Sequence, residues 1–322
     1  MRILVCLMLS LFLAAPLAAQ EDAVRALAIK AREGDAEAIA ALEKAAESGD
    51  ADAAFYAGDL YLRGRARAPS PERAIEWFKR AAGKGHVAAM HALGVVYERA
   101  PAPLRDPVQA LEWYRRGAER NFARSQTNLG FFLQQGRAVT ADLKAAREWY
   151  EKAAAQGEPR AKFLLGMLYL DGLGVERDDA HAVELIKDAA EHGDPDAQYR
   201  LAVLTGTGRG VARDEVAAIE LARKAALQGQ ADAQYYVAEA FASGSAGLPK
   251  DEREALRWLL RAAEQEHAEA QFALVVVYGE GRGVRRNPTE ALNWLQRAAG
   301  NGHAQAIDLL AGLRSRPAPA PQ

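Results

Sequence analysis

The chain has 322 residues, of which 50% are hydrophobic, 26% charged and only 7% aromatic. That balance excludes a disordered chain, and the abundance of alanine favours helices packed at close range. The 41 basic residues against 43 acidic give a net charge of −2, without the basic excess that nucleic-acid binding normally shows.

At the amino terminus Arg2 supplies a positive charge, and Ile3 to Leu13 are apolar apart from Cys6 and Ser10. Pro16 breaks the run, and Leu17-Ala18-Ala19 offers small residues where a signal peptidase cuts. A bilayer span needs about 20 apolar residues, so the run is too short for an anchor. Residues 1–19 therefore read as a signal peptide cleaved after Ala19 rather than as a buried first helix, and the mature chain is expected to be periplasmic or secreted. Cys6 is the only cysteine and lies inside the apolar run, away from the cut, so no lipid-anchored cysteine is expected. The mature chain then has no thiol, disulfide or cysteine metal ligand and depends on packing alone.

Residues 20–49 read as two short alanine-rich capping helices separated by Gly34-Asp35. Beyond them the chain repeats. Trp77, Trp113 and Trp149 lie 36 residues apart, as do Trp258 and Trp294; Leu185 and Leu221 fill the two positions between, with one inserted residue. Three residues ahead of this column stand Ala74, Ala110, Ala146, Ala182, Ala218, Ala255 and Ala291. Seven residues ahead stand Ser70, Asp106, Asp142, Asp178, Asp214, Asp251 and Asn287, side chains able to accept a hydrogen bond from a free N–H of a first helical turn. Pro71, Pro107 and Pro288 follow where a missing N–H costs nothing. Gly85, Gly157, Gly193, Gly229 and Gly302 stand where each such helix ends.

The other half of each unit is also helical. In one unit Ala161, Leu165, Gly166, Leu168 and Tyr169 keep helical spacing up to Asp171-Gly172-Leu173-Gly174-Val175, and no two-residue alternation persists anywhere. The fold class is therefore all-α, about seven 36-residue helix–loop–helix repeats over residues 50–313. The units run near 50–85, 86–121, 122–157, 158–193, 194–229, 230–266 and 267–302. A half-repeat cap at 303–313 restates the pattern with Ala306, Leu310 and Leu313, and residues 314–322, rich in proline and alanine, read as a disordered tail.

The pattern Leu165-Gly166-x-x-Tyr169-x-x-Gly172-x-Gly174-Val175, followed by Asp178, Ala182, Leu185 and Ala189-Ala190, resembles the Sel-one-like repeat, a relative of the tetratricopeptide repeat with a longer loop between its helices. The resemblance covers about residues 50–313 and recurs in every unit. It implies a right-handed α/α superhelical solenoid whose concave surface is lined mainly by the first helix of each repeat. It also implies protein–protein interaction, often as an adaptor in bacterial envelope, secretion or signalling systems. Some members carry a cysteine pair in each repeat and are associated with β-lactams; this chain departs from that pattern completely, so that activity is not expected.

No constellation for chemistry emerges. Gly206-Thr207-Gly208-Arg209-Gly210 invites comparison with a phosphate loop, but it follows a helix and aligns with Gly172-Leu173-Gly174 and Gly281-Arg282-Gly283, so it reads as an inter-helix loop. His86, His267 and His303 share one repeat position, and no histidine pair has the spacing of two metal ligands on a helix face. Neither Gly-x-Ser-x-Gly nor Ser-x-x-Lys occurs. The expectation is no enzyme, no cofactor and no metal.

The informative surface is on the first helices. In the fourth repeat Ala161, Leu165 and Leu168 share one face, while Phe163, Met167 and Leu170 lie about 160–200° away at 100° per residue. A helix apolar on two faces must be covered twice, so this second stripe either packs on a neighbouring repeat or lines a groove. Phe131, Phe163, Met167, Leu170, Tyr199 and Val203 are accordingly the candidate partner-binding residues, with Asp59, His91, Glu98 and Glu239 as polar replacements. The leading functional reading is an exported adaptor that binds a protein or peptide. The alternatives are a cell-wall (peptidoglycan or polysaccharide) binding factor or hydrolase, and an inhibitor of an envelope enzyme.

Overall fold

The computed structural model describes residues 17–64 and 68–314. The signal segment up to residue 16 and the tail from residue 315 lie outside the described residues. The described residues form 17 helices and no strand, an all-α repeat solenoid. Two helices come first, α1 (Leu17–Arg32) and α2 (Ala36–Glu47). Seven antiparallel pairs follow: α3 (Ala51–Arg63) with α4 (Pro71–Gly83), α5 (Val87–Arg99) with α6 (Pro107–Glu119), α7 (Ala123–Gln135) with α8 (Leu143–Ala155), and α9 (Pro159–Asp171) with α10 (Asp179–Glu191). The remaining pairs are α11 (Pro195–Thr207) with α12 (Glu215–Leu227), α13 (Ala231–Ser243) with α14 (Glu252–Glu264), and α15 (Ala268–Glu280) with α16 (Pro288–Gly300). A last helix, α17 (Ala304–Arg314), ends the described chain. The chain divides between Gln156 and Gly157 into two compact units, α1–α8 and α9–α17.

The caps act as their chemistry dictates. Ser70, Asp106, Asp142, Asp178, Asp214, Asp251 and Asn287 all accept from backbone N–H groups of the turn that follows. The backbone N–H of each also closes the inter-helix loop on a carbonyl near the end of the first helix, as Asp178 does on Tyr169 at 3.1 Å and Asp214 on Thr205 at 2.9 Å. In two repeats Asn121 and Glu266 take the left-handed position (φ 61° and 65°) that glycine holds after the other second helices.

Within a repeat the helices approach closely because the first offers a glycine to a large side chain of the second. A Cβ on Gly58 would lie 2.6 Å from the Phe78 ring, on Gly94 2.4 Å from Tyr114, on Gly130 2.7 Å from Tyr150, and on Gly166 2.7 Å from Ile186. These partners are at most 1% exposed. Tyr114 buries its ring and spends its hydroxyl on Glu98, at 2.7 Å.

Successive repeats are tied by buried glutamines. Gln198 Nε2 donates to the Ala190 carbonyl of the preceding second helix at 3.1 Å, and its Oε1 accepts from Gln228 at 2.8 Å. Gln126, Gln234 and Gln271 repeat the relay onto Ala118, Ala226 and Ala263, with Gln156, Gln265 and Asn301 as donors. Each amide thus has both ends satisfied, as burial demands.

The tryptophan column differs from the fully buried row that its regularity implies. Trp258 and Trp294 are buried, but Trp77, Trp113 and Trp149 are only half-buried. One face of each ring is covered by the cation one turn on: Arg80, Arg116, Lys152, Arg261 and Arg297 lie 4.1–4.6 Å from the ring centroids. The residue after tryptophan is the one aimed at the first helix. Tyr114→Ala is therefore expected to cost about 3–5 kcal/mol and Trp113→Ala about 1–2 kcal/mol. Gly94→Ala should cost about 1–3 kcal/mol by overpacking, and less once Tyr114 is leucine. Urea denaturation of the single and double variants checks both; additive losses for Gly94 and Tyr114 would contradict the contact.

Candidate functional site

Two columns of the first helices carry the predicted site residues other than Leu170. Counting from each helix's N-cap, position 5 carries Phe55, His91, Thr127, Phe163, Tyr199, Tyr235 and Phe272, and position 9 carries Asp59, Val95, Phe131, Met167, Val203, Glu239 and Val276. In five of the repeats the position 5 ring meets a ring of the next repeat. Phe55 stacks on His86 (4.6 Å, 20°), Tyr235 on His267 (5.2 Å, 23°) and Phe272 on His303 (4.2 Å, 18°), each histidine being the cap of the following first helix. In one repeat the pair is exchanged, with His91 at position 5 and Phe122 at the cap, 5.6 Å apart.

The predicted site residues therefore separate. Phe163 is 8% exposed, with the Arg160 guanidinium 5.0 Å from its ring, and Leu170 is 2% exposed. Both are packing residues and leave almost no surface for a partner. Tyr199 is half-buried, its ring 6.4 Å from that of Tyr236 in the next repeat. Phe131, Met167 and Val203 occupy position 9 and are likewise half-buried, Phe131 in the first unit and the other two in the second. Phe131 packs against the core of its own unit, whereas Met167 and Val203 join no buried apolar cluster among the described residues.

The remaining polar features are structural. The imidazole Nδ1 atoms of His86, His267 and His303 accept the helix-capping hydrogen bonds at 3.1, 3.1 and 3.3 Å. With Nδ1 as acceptor, the His86 ring is neutral and its Nε2 faces Asp52 at 3.0 Å; burial lowers its pKa against the pull of that carboxylate. The Gly206–Gly210 loop packs on the preceding repeat. Arg209 pairs with Asp179 at 3.0 Å, and a Cβ on Gly210 (φ 71°) would lie 2.5 Å from the Asp179 carbonyl. Hydrogen bonds from Arg177 and Arg209 hold the Asp179 carboxyl well below the usual carboxylate range. Among the described residues no group of three or more His, Cys, Asp or Glu is placed to hold a metal ion, and no helix is long and apolar enough to cross a membrane. The glutamine relay was missed in the sequence, although a glutamine four residues after four of the first-helix caps marks it.

Seven consecutive segments, 51–86, 87–122, 123–158, 159–194, 195–230, 231–267 and 268–303, match the Sel1 repeat. The chain belongs to the Sel1 repeat family. Sel1 repeat proteins are protein–protein interaction scaffolds and typically non-catalytic. A Sel1 repeat protein from Oxalobacter formigenes is 31% identical with a TM-score of 0.64, over 91% of this chain and 86% of that one. A protective antigen of uropathogenic Escherichia coli with an SLR fold is 30% identical with a TM-score of 0.64, over 87% of this chain. The chain spans 60% of that antigen's length. No curated protein matches the sequence.

His91 gives this Sel1 array an acid-sensitive joint. Burial, then Arg124 and Arg99, push its pKa down to about 4 against the opposing Glu98. An unfolded chain takes up this proton below about pH 6.5, whereas the folded chain refuses it until about 4. The stability is full above 6.5 and is lost as pH falls to 4, by about 3 kcal/mol in all. His91→Leu should flatten that part of the stability profile in urea melts at pH 7.5, 5.5 and 4; an unchanged slope would contradict it.

Proposed function

We propose that this chain is an exported, non-catalytic scaffold that binds a protein or peptide partner on the first-helix face of its repeats. The observation that carries the reading is position 9 of the second unit. Met167 and Val203 are only half-buried on helices where Phe163, Leu165, Leu168, Leu170, Leu201 and Leu204 are buried. Apolar side chains presented in a regular row on rigid helices suit a few anchoring contacts, which usually dominate a protein interface. Export is supported by Arg2, the apolar run to Leu13 and Leu17-Ala18-Ala19.

The double variant Met167→Ser/Val203→Ser tests the face. Its melting temperature should fall by less than about 5 °C, since both side chains are only half-buried, while capture of the native partner from an envelope fraction is lost. Normal capture by the folded variant would defeat the proposal. In the same preparation the intact mass should begin at Gln20; a chain retaining Met1 would remove export from the account.

A further inference from the structure

Repeats one and six share a constellation that the other five lack. Position 6 is tyrosine only at Tyr56 and Tyr236, and position 9 is acidic only at Asp59 and Glu239. Their surroundings match as well. Phe55 and Tyr235 stand beside these tyrosines and stack on His86 and His267, and Asp52 and Asp232 face those imidazoles at 3.0 and 3.3 Å. The same local structure is therefore built twice, once in each unit.

In repeat one the constellation is filled. Arg32, at the end of α1, places its Nη2 2.9 Å from Asp59 Oδ2 and its guanidinium 5.7 Å from the Tyr56 ring centroid. Arg63 adds a second contact to Asp59 at 2.5 Å, and the carboxylate residue is left 7% exposed. A planar guanidinium satisfies both neighbours at once, donating to the carboxylate and facing the ring.

In repeat six no described residue takes the place of Arg32. Position 13, Arg63 in repeat one, is Ser243, and α13 contains no lysine or arginine. Glu239 is exposed and makes no ion pair among the described residues; the Tyr235 phenol shares a hydrogen bond with it. A cavity of about 350 Å³ opens beside Tyr236, bounded also by Glu239, Glu215, Ser243, Ser245 and Gly206. Glu215 is already held by Arg213, which leaves Glu239 as the acceptor. A Cβ on Gly206 would come 3.1 Å from the Tyr236 hydroxyl, so the glycine keeps this edge open.

We infer that Tyr236 and Glu239 receive an arginine side chain of the bound partner, as Tyr56 and Asp59 receive Arg32. The inference rests on the scaffold reading and names the partner's chemistry: a peptide segment presenting an exposed arginine to α13. Lysine is a poorer fit, because a compact, strongly hydrated ammonium lacks the flat fork that serves ring and carboxylate together.

The test is a titration of the full mature chain with acetyl-Gly-Arg-Gly-amide, followed by ¹H–¹⁵N NMR, with the lysine and citrulline analogues as controls. Saturable shifts centred on α13 are expected, with a Kd on the order of 1 mM. Glu239→Gln should weaken binding at least about tenfold without changing the melting temperature, and the citrulline analogue should not bind. Shifts scattered over the acidic surface, unaltered binding to Glu239→Gln, or equal binding of citrulline would overturn the arginine site. So would concentration-dependent self-association abolished by Glu239→Gln, since the arginine would then come from a second copy. If the tripeptide fails while the wild type still captures its partner, the arginine site falls and the scaffold reading stands. If the tripeptide binds at α13 but no partner is captured, the site stands and the scaffold reading falls.

Discussion

The distance between the two helices of a repeat governs what every other side chain can do. Gly58, Gly94, Gly130 and Gly166 leave no room for even a methyl group beneath Phe78, Tyr114, Tyr150 and Ile186. A ring seated on bare backbone brings the helices together and sets the rotation of each about its axis. In later repeats the glycine gives way to Ala202 and Ala238, which are buried in one apolar cluster with Ala222 and Leu259. Close packing of this kind transmits shape errors, because interiors have little free volume to absorb an added carbon.

Once the pair is fixed, the joints between repeats follow from three local contacts. A glutamine relay joins the end of one second helix to the next repeat. An aromatic at position 5 stacks on the following cap. In the second unit, the loop arginine Arg209 reaches back to Asp179. On the first helices these contacts occupy positions 4 and 5. Tyr236 and Glu239 are distinctive, since they restate at positions 6 and 9 a pair that the chain itself fills in repeat one.

What the sequence made legible was the chemistry that acts over one or two turns. An aspartate cap serves N–H groups two and three residues on, so Asp178 or Asp214 announces a helix start without knowledge of anything distant. The tertiary destinations were harder. An aromatic such as Phe163 has the same helical spacing whether it lines a surface or packs on a neighbour, and only its 8% exposure separates the two. Trp113 looked like core because its column is regular, yet Arg116 covers one face of a ring that is only half-buried. Glu239 was visible as a break in an apolar column, but its likeness to Asp59 became meaningful once Arg32 was seen bound there.

On the proposed reading, partners meet the first helices and not the second. A photo-crosslinking amino acid placed at Val203 on α11, or at exposed Lys187 on α10, tests it in cells expressing the full chain. A discrete cross-linked partner is expected from position 203 and none from 187. A partner trapped from 187, or equally from both, would contradict it.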